Sequence, residues 1–226
     1  MGVRAKYLDV VSAIFVTVLV VSNIASSAKI VDMGFSIFSI RLAFDGGTLL
    51  FPLVYVLGSV LTEVYGFKTA SRVIWTGFAG LALAMLVFFV LGILPGEAHW
   101  EAATGQPAYN AILGGMSHGG IVLASLTAYL FGKFTNAAIH SKIKVIMKGR
   151  MLWVRTIGST MAGQLLDTFI FISIASVAGV FPWEIFWSLV IANYLIKCFF
   201  EVVLTPLNYL VCGVLKRKEE LDVYDA

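Results

Sequence analysis

The sequence predicts an all-α integral membrane protein, a bundle of about six transmembrane helices with a short capping or re-entrant segment after the first helix. Of the 226 residues, 59% are hydrophobic and only 13% are charged, and the mean hydropathy is +0.92. A soluble domain, with about 25% charged residues, would not have this composition. The stretches between the apolar windows are too short for a soluble domain, so residues 1–226 are predicted to form a single transmembrane domain.

Apolar windows of roughly the 20 residues that cross a bilayer define the predicted spans. They cover residues 8–28, 48–65, 72–94, 111–134, 152–178 and 184–215. After the first span, residues 34–47 are too apolar for a solvated loop and too short to cross the membrane. We expect this segment either to re-enter the bundle or to cover helix ends as an interfacial hairpin.

The basic residues are distributed unevenly between the loops, which predicts the orientation of the chain. With the amino terminus inside, the outer side receives only Lys29 and Arg41. The cytoplasmic side receives Arg4, Lys6, Lys68, Arg72, Lys142, Lys144, Lys148, Arg150, Lys216, Arg217 and Lys218. Both termini are therefore predicted to be cytoplasmic, in the cell inner membrane. The net charge of +3 then reflects contact with anionic lipid, and no nucleic-acid partner is expected.

The sequence contains no motif of an enzyme or a metal centre. It has no GxSxG, HExxH or nucleotide-binding motif, and His99, His118 and His140 share no metal-ligand spacing. Cys198 and Cys212 are about 21 Å apart along one predicted helix, too far for a disulfide. We expect free thiols, no metal, no cofactor and no enzymatic activity.

A polar stripe crosses the last apolar window. Asn193, Lys197 and Glu201 recur every fourth residue, so a helix places them on one face. A charged side chain at membrane depth costs a few kcal/mol and normally faces protein or a water-filled cavity. The stripe therefore predicts a functional site within the bundle. The alternative is that Lys197 and Glu201, one turn apart, only neutralise each other.

Several segments resemble one known family. Residues 46–55 read GGTLLFPLVY and residues 61–67 read LTEVYGF. Further segments that match are 22–25 with Lys29, 155–160 with Gln164, 167–168, Lys197, Glu201, 205–206, Tyr209 and the tail 215–225. In this order and at this spacing they resemble the queuosine precursor transporter family, also called the vitamin uptake transporter family. One departure is Ser59, where the family commonly carries an Asp.

The resemblance implies an importer of queuosine precursors for tRNA modification, a salvage function. Its small-molecule substrates would be 7-deazaguanine bases such as preQ0 and preQ1. Because the chain has no nucleotide-binding motif, we expect it to act without an ATPase of its own. The alternative is a substrate-binding subunit of an ATP-driven energy-coupling-factor-type importer, since such subunits also have about six helices and a capping first loop. The resemblance leaves the oligomeric state open, a homodimer included.

A deazaguanine edge presents a ring N–H and an exocyclic amine as adjacent donors, and a carboxylate can accept both. Asp167 is the first candidate for this contact, with Gln164 one turn earlier to meet the carbonyl or a ring nitrogen. Aromatic side chains are candidates for stacking on the ring. The predicted substrate-binding residues are Asp167, Gln164, Asn23, Glu63, Lys197, Glu201, Asn193, Tyr55, Phe51 and Trp75. Alternatively, Asn23 and Gln164 hydrogen-bond between helices, and Glu63 anchors a helix end.

The first prediction concerns topology. Reporters fused at Met147 and Lys218 should label as cytoplasmic and a reporter at Gly105 as external, because the basic loops remain inside. Accessibility labelling of intact cells measures this, with permeabilised cells as the control. External labelling at Met147 would contradict the orientation.

Overall fold

The computed structural model describes residues 5–37, 40–117, 119–179 and 182–225. Two short 3-10 helices, Gly46–Leu49 and Trp183–Ile185, precede longer helices. The other elements, in chain order, are α1 (Leu8–Ala28), β1 (Ile30–Ile37), β2 (Ile40–Asp45), α2 (Phe51–Ile93), α3 (Ala98–Ala103), α4 (Gly105–Ser117), α5 (Gly119–Ile146), α6 (Leu152–Val177) and α7 (Phe186–Glu219).

The prediction of a helical integral membrane protein is confirmed. Five helices in the described part of the chain, α1, α2, α5, α6 and α7, are long and apolar enough to cross a membrane. The apolar part of α2 covers 41 residues. A straight helix of that length would measure about 60 Å, about twice the thickness of the hydrocarbon core.

Helix α2 turns back on itself at Gly66, which has φ 83° and ψ 170°. Only glycine adopts such a conformation at low cost. A Cβ atom built on Gly58 would lie 4.0 Å from the Phe15 ring, and one on Gly77 would lie 3.1 Å from it. In a straight helix these two glycines would be about 28 Å apart. The halves of α2 are therefore antiparallel spans, in agreement with the predicted windows 48–65 and 72–94.

The predicted fourth span, residues 111–134, ended too early, because the spanning helix α5 continues to Ile146. Residue 118 of this window lies outside the described residues. The polar residues after 134 suggested a helix end. In the structure they face the protein: His140 and Lys144 are buried, and Lys144 Nζ donates to the backbone carbonyl of Glu63. Internal partners allow these residues to continue a span.

The segment after α1 forms an antiparallel β-hairpin of β1 and β2, in which Ile30 pairs with Asp45 and Ser36 pairs with Arg41. Residues 38 and 39 of the predicted segment 34–47 lie outside the described residues. The base of the hairpin closes on the end of α1, where Gly46 N donates to Lys29 O at 2.8 Å. A hairpin pairs its own backbone polar groups, which suits a segment next to an apolar phase.

Helices α5 and α6 approach each other closely at two glycines. A Cβ atom on Gly132 would lie 2.7 Å from the Asp167 Cβ, and one on Gly163 would lie 2.7 Å from the Gly132 carbonyl oxygen. Small residues at such crossings let helix backbones touch. This crossing places the backbone of α5 around Lys133 directly against Asp167 of α6.

A group of charged residues joins four helices at the end of the bundle opposite the hairpin. The Glu63 carboxylate is fully buried and accepts hydrogen bonds from Nε and Nη2 of Arg155 at 2.7 Å each. It also contacts Lys216 Nζ, and its Oε2 lies 3.0 Å from His140 Nε2. Lys216 Nζ lies 2.9 Å from Asp222 Oδ1. We define the Glu63 cluster as Glu63, His140, Lys144, Arg155, Lys216 and Asp222.

The carboxyl-terminal tail packs against the same end. The Glu219 carboxylate accepts hydrogen bonds from the backbone N–H of Lys6 at 2.6 Å and from the Tyr65 hydroxyl at 2.7 Å. The Asp225 carboxylate accepts from the backbone N–H groups of Phe67 and Lys68. These N–H groups begin the second half of α2, where a helix leaves its first amides unpaired. The tail thus caps the reversal at Gly66.

The connection before α4 carries the short helix α3 and is exposed. The Glu97 side chain accepts hydrogen bonds from the backbone N–H groups of His99 and Trp100, as an amino-terminal cap does. The His99 side chain, whose Nδ1 lies 2.8 Å from Glu97 Oε1, holds the pKa of the Glu97 carboxyl below its ordinary value.

Our second prediction is that Glu63→Gln strongly destabilises the protein. The change leaves the buried Arg155 guanidinium without its carboxylate, and Lys216 keeps only Asp222. It should lower the free energy of unfolding by about 3 to 5 kcal/mol. Thermal unfolding of the purified protein in detergent or lipid measures this. Glu184→Gln is the matched control, because Glu184 is exposed and the same change should have little effect. Equal melting temperatures for the two variants would contradict a stabilising role for the Glu63 cluster.

Candidate substrate-binding site

A cavity of about 450 Å³ lies between α1, both halves of α2, and α4 to α7. Its wall is mainly apolar, with Leu19, Leu81, Met85 and Met116 among the contributors. Sites for small molecules typically measure about 300 to 1,000 Å³ and combine apolar walls with a few polar groups. The cavity therefore has the size and the lining of a site for one small molecule.

The predicted site residues that line this cavity come from four helices. They are Asn23, Phe51, Tyr55, Asp167, Asn193 and Lys197. The charged residues among them form a pair between α6 and α7, with Lys197 Nζ 2.7 Å from Asp167 Oδ2 and 3.3 Å from Thr168 Oγ1. The Asp167 and Lys197 side chains remain 22% and 24% exposed. A carboxylate has about four acceptor positions, so Asp167 can accept further hydrogen bonds from a ligand.

The alternative in which Lys197 pairs with Glu201 is wrong. Lys197 extends across to α6, whereas the buried Glu201 carboxylate accepts a hydrogen bond from Thr160 Oγ1 at 3.2 Å. Asn136 Nδ2 in turn lies 3.3 Å from the same Thr160 oxygen. A spacing of four residues permits contact along one helix, but a closer partner on a neighbouring helix takes precedence. The predicted stripe is thus divided: Asn193 and Lys197 line the cavity, and Glu201 lies outside its wall.

The two asparagines of the cavity are held by their own helices. Asn23 Nδ2 donates to Leu19 O and Asn193 Nδ2 donates to Leu189 O, at 2.9 Å in both cases. These hydrogen bonds are local, so in the described part of the chain Asn23 does not serve as a contact between helices. Each side-chain amide is oriented by its hydrogen bond to the carbonyl four residues earlier. Both residues line the cavity.

Besides Glu201, three predicted site residues lie away from the cavity wall. Glu63 is enclosed in the Glu63 cluster, and Trp75 is 54% exposed and contacts Phe78 and Phe134. Gln164 is buried; its amide makes no well-formed hydrogen bond within the described residues, although the Tyr55 hydroxyl is close to it. Ser59, one turn from Tyr55, is also buried, and its Oγ has no partner there.

One charged residue of the wall, Lys133 on α5, was not among the predicted site residues. It is 8% exposed, and its ammonium lies 3.7 Å from the centroid of the Tyr55 ring. Among the residues that the structure describes, Lys133 Nζ has no hydrogen-bond partner. The predicted fourth span ended at residue 134, which placed Lys133 at a membrane edge. A lone lysine within an apolar stretch was the signal that could have identified it.

In the described ranges, no three His, Cys, Asp or Glu side chains come together as metal ligands. The chemistry of the site is therefore that of its side chains: two ammonium groups, one carboxylate, two amides and aromatic rings. Such a set can bind a polar, planar molecule by hydrogen bonds and stacking.

A bundle of membrane-spanning helices around a cavity with charged residues at membrane depth has the organisation of a multi-pass membrane transporter. The comparison with protein families agrees, because the family model described as "Putative vitamin uptake transporter" matches residues 45–211. The chain belongs to the vitamin uptake transporter family. This is a family of transporters and not of enzymes, so the prediction that the protein is not an enzyme is confirmed.

Three curated relatives are similar along most of the chain. A "Probable queuosine precursor transporter" of Bacillus subtilis is 32% identical over 72% of this chain and 69% of its own. One of the same name from Haemophilus influenzae is 25% identical over 77% and 71%, and the "Queuosine precursor transporter" of Escherichia coli is 24% identical over 90% and 89%. No solved structure matches the chain. The resemblance to this family is thus confirmed.

The third prediction is that Asp167 and Lys197 are energetically coupled. Each single change, Asp167→Asn or Lys197→Met, should destabilise the protein, and the double variant should recover part of the loss. The coupling should be about 0.5 to 3 kcal/mol, toward the lower end because both side chains are partly exposed. Thermal unfolding of the four proteins measures it. The matched control is the double-mutant cycle of Lys197→Met with Glu201→Gln, which should show a much smaller coupling energy. A larger coupling energy for Lys197 with Glu201 than for Lys197 with Asp167 would contradict the observed pairing.

Proposed function

We propose that this protein imports a queuosine precursor, a 7-deazaguanine base such as preQ0 or preQ1, across the cell inner membrane, with both of its termini cytoplasmic. The observation that carries the proposal is the Asp167 carboxylate, oriented by Lys197 in the wall of a cavity of about 450 Å³. The names of the three relatives support the same substrate class.

The Asp167 contact suits the donor edge of a deazaguanine. Its Oδ2 accepts a hydrogen bond from Lys197 Nζ, which orients the carboxylate. The adjacent ring N–H and exocyclic amine of the base are both donors, and a carboxylate that accepts from both is selective for that edge. Gln164 lies outside the wall, so the remaining polar contacts to the base come from groups that line the cavity.

The remaining wall suits a flat ring. Phe51 and Tyr55 contribute aromatic surface from the first half of α2. Aromatic rings can stack on different flat heterocycles, because each of these has a π face. The amides of Asn23 and Asn193 supply donors and acceptors elsewhere on the wall. A base with polar substituents at its edges can satisfy these groups while its ring remains in apolar surroundings.

We propose that uptake requires no ATPase subunit. The sequence contains no nucleotide-binding motif, and the three relatives are named queuosine precursor transporters. The comparisons give no support to the alternative of a subunit of an ATP-driven energy-coupling-factor-type importer.

The fourth prediction tests this function directly. Liposomes that contain only the purified chain should accumulate radiolabelled preQ0 or preQ1 faster than empty liposomes, and excess unlabelled 7-deazaguanine should compete. Uptake is measured by rapid filtration. Failure of the chain alone, with recovery after addition of an ATPase module, would support the alternative; failure under both conditions would overturn the proposed function.

A binding assay with the same labelled base tests the role of Asp167. Asp167→Asn replaces one acceptor oxygen with a donor amine that opposes the amine of the base, which should cost about 2 to 4 kcal/mol of binding free energy. Asp9→Asn is the matched control, because Asp9 is exposed at the start of α1 and its change should leave binding unaffected. Near-native affinity in a folded Asp167→Asn protein would remove this residue from the proposed site.

A further inference from the structure

Lys133 occupies an unusual electrostatic position. It lies within α5, is only 8% exposed and lines the cavity. Its ammonium rests on the face of the Tyr55 ring, 3.7 Å from the centroid. A cation over an aromatic ring is attracted to the face without using its N–H donors on acceptor atoms. The Tyr55 ring thus holds the ammonium in place and leaves its hydrogen-bonding capacity unused.

An ammonium with three unused donors in a buried site is costly unless an acceptor reaches it. Within the described residues no acceptor lies within hydrogen-bond distance of Lys133 Nζ. The other buried lysine of α5, Lys144, differs in this respect, because it donates to the carbonyls of Glu63 and Val223 and pairs with Asp222. The chain therefore supplies acceptors for the structural lysine Lys144. Within its described part it supplies no hydrogen-bond acceptor for Lys133.

The position of Lys133 relative to Asp167 is fixed by the helix crossing. Gly132, the preceding residue, packs against Asp167, where an added Cβ would lie 2.7 Å from the Asp167 Cβ. Lys133 and Asp167 are both wall residues of the same cavity. A lysine donor and a carboxylate acceptor thus line the same cavity from neighbouring helices.

We propose that Lys133 binds the exocyclic oxygen of the substrate, so that Lys133 and Asp167 together select an oxo base over an amino base. This inference rests on the proposed function, since it assumes a deazapurine in the cavity. The edge of a deazaguanine presents an oxygen acceptor, then a ring N–H donor, then an amine donor. A lysine donor beside a carboxylate acceptor complements this order.

The same pair rejects the opposite pattern. In a 6-amino base the oxygen is replaced by an amine and the ring nitrogen becomes an acceptor. The amine would then face the Lys133 ammonium, donor against donor, and the ring nitrogen would face the Asp167 carboxylate, acceptor against acceptor. A site built to hydrogen-bond one pattern rejects the other strongly, because its own buried polar groups remain unpaired. We expect the selectivity to reside in this pair.

Two ligands that differ only in this edge provide the test. 7-Deazaguanine carries the oxygen, and 2,6-diamino-7-deazapurine carries an amine in its place while it keeps the second amine. The wild-type protein in nanodiscs should bind the oxo base at least about 100-fold more tightly, measured by calorimetry or by competition with labelled preQ0. Lys133→Met should weaken binding of the oxo base by about 30-fold or more and reduce the preference to less than about 10-fold.

Two variants control for indirect effects. Lys142→Met makes the same change on an exposed face of α5 and should keep both affinities and the preference. Lys133→Gln carries both a donor and an acceptor, so it should bind the two bases with similar affinities, and it provides the test if the methionine variant does not fold. The ligand-free melting temperature of Lys133→Met should equal or exceed that of the wild type, since an unpaired buried charge has been removed.

The outcomes separate the inference from the function on which it rests. A wild-type protein that binds neither base overturns the proposed function and the inference with it. A wild-type protein that prefers the oxo base, together with Lys133→Met and Lys133→Gln variants that keep this preference, overturns the inference alone. If Lys133→Met greatly lowers stability without a change in selectivity, Lys133 has a structural role, and this result also overturns the inference.

Discussion

Glu63 lies in the first half of α2, less than one turn before the chain reversal at Gly66, and its buried carboxylate contacts side chains of α5, α6 and α7. A carboxylate without access to water is tolerated only when cations and hydrogen bonds surround it. The four helices can therefore assemble only in the register in which His140, Arg155 and Lys216 converge on α2. This register also determines the position of the cavity wall, because the same four helices carry wall residues at a distance from the cluster.

The spacing along each helix shows how the cluster determines the site. On α6, Arg155 and Asp167 are separated by about 18 Å of helical rise, and on α7, Lys216 and Lys197 by about 28 Å. Between them, Thr160 links α6 to Glu201 of α7 and to Asn136 of α5. A buried polar face of α6 thus extends from the cluster to the cavity, and its hydrogen bonds hold Asp167 in register with Lys197.

Hydropathy was sufficient to predict most of the spans. The windows 8–28 and 152–178 agree with α1 and α6 almost residue for residue, because apolar length is a property of one segment. The fourth window ended too early because it treats Asn136 and Lys144 as residues of a helix end, although inward-facing partners make them acceptable at depth. The hairpin after α1 could not be distinguished from a re-entrant loop, because both satisfy the backbone of a short apolar segment.

Part of the site could likewise be predicted from the sequence, since charges at membrane depth face protein or a cavity. This reasoning predicted Asp167, Lys197 and Asn193 as site residues, and in the structure all three line one cavity. It could not predict the partner of Lys197, because a spacing of four residues describes one helix, whereas the Asp167 contact depends on how α6 packs against α7. Glu63 satisfied the same criterion as Asp167, and only the tertiary structure separates a structural carboxylate from one at the cavity.

The charges around the cavity are balanced without all being in contact. Asp167 and Lys197 neutralise each other across the helix interface, and Glu201 lies behind the wall with Thr160 as its hydrogen-bond donor. The Asp167 and Glu201 carboxylates both attract the Lys133 ammonium electrostatically, although neither is its hydrogen-bond partner. Attraction at a distance lowers the cost of burying a cation, whereas direct contact would also occupy its donors. This arrangement leaves the buried Lys133 side chain without a hydrogen-bond partner among the described residues, in the wall of the cavity.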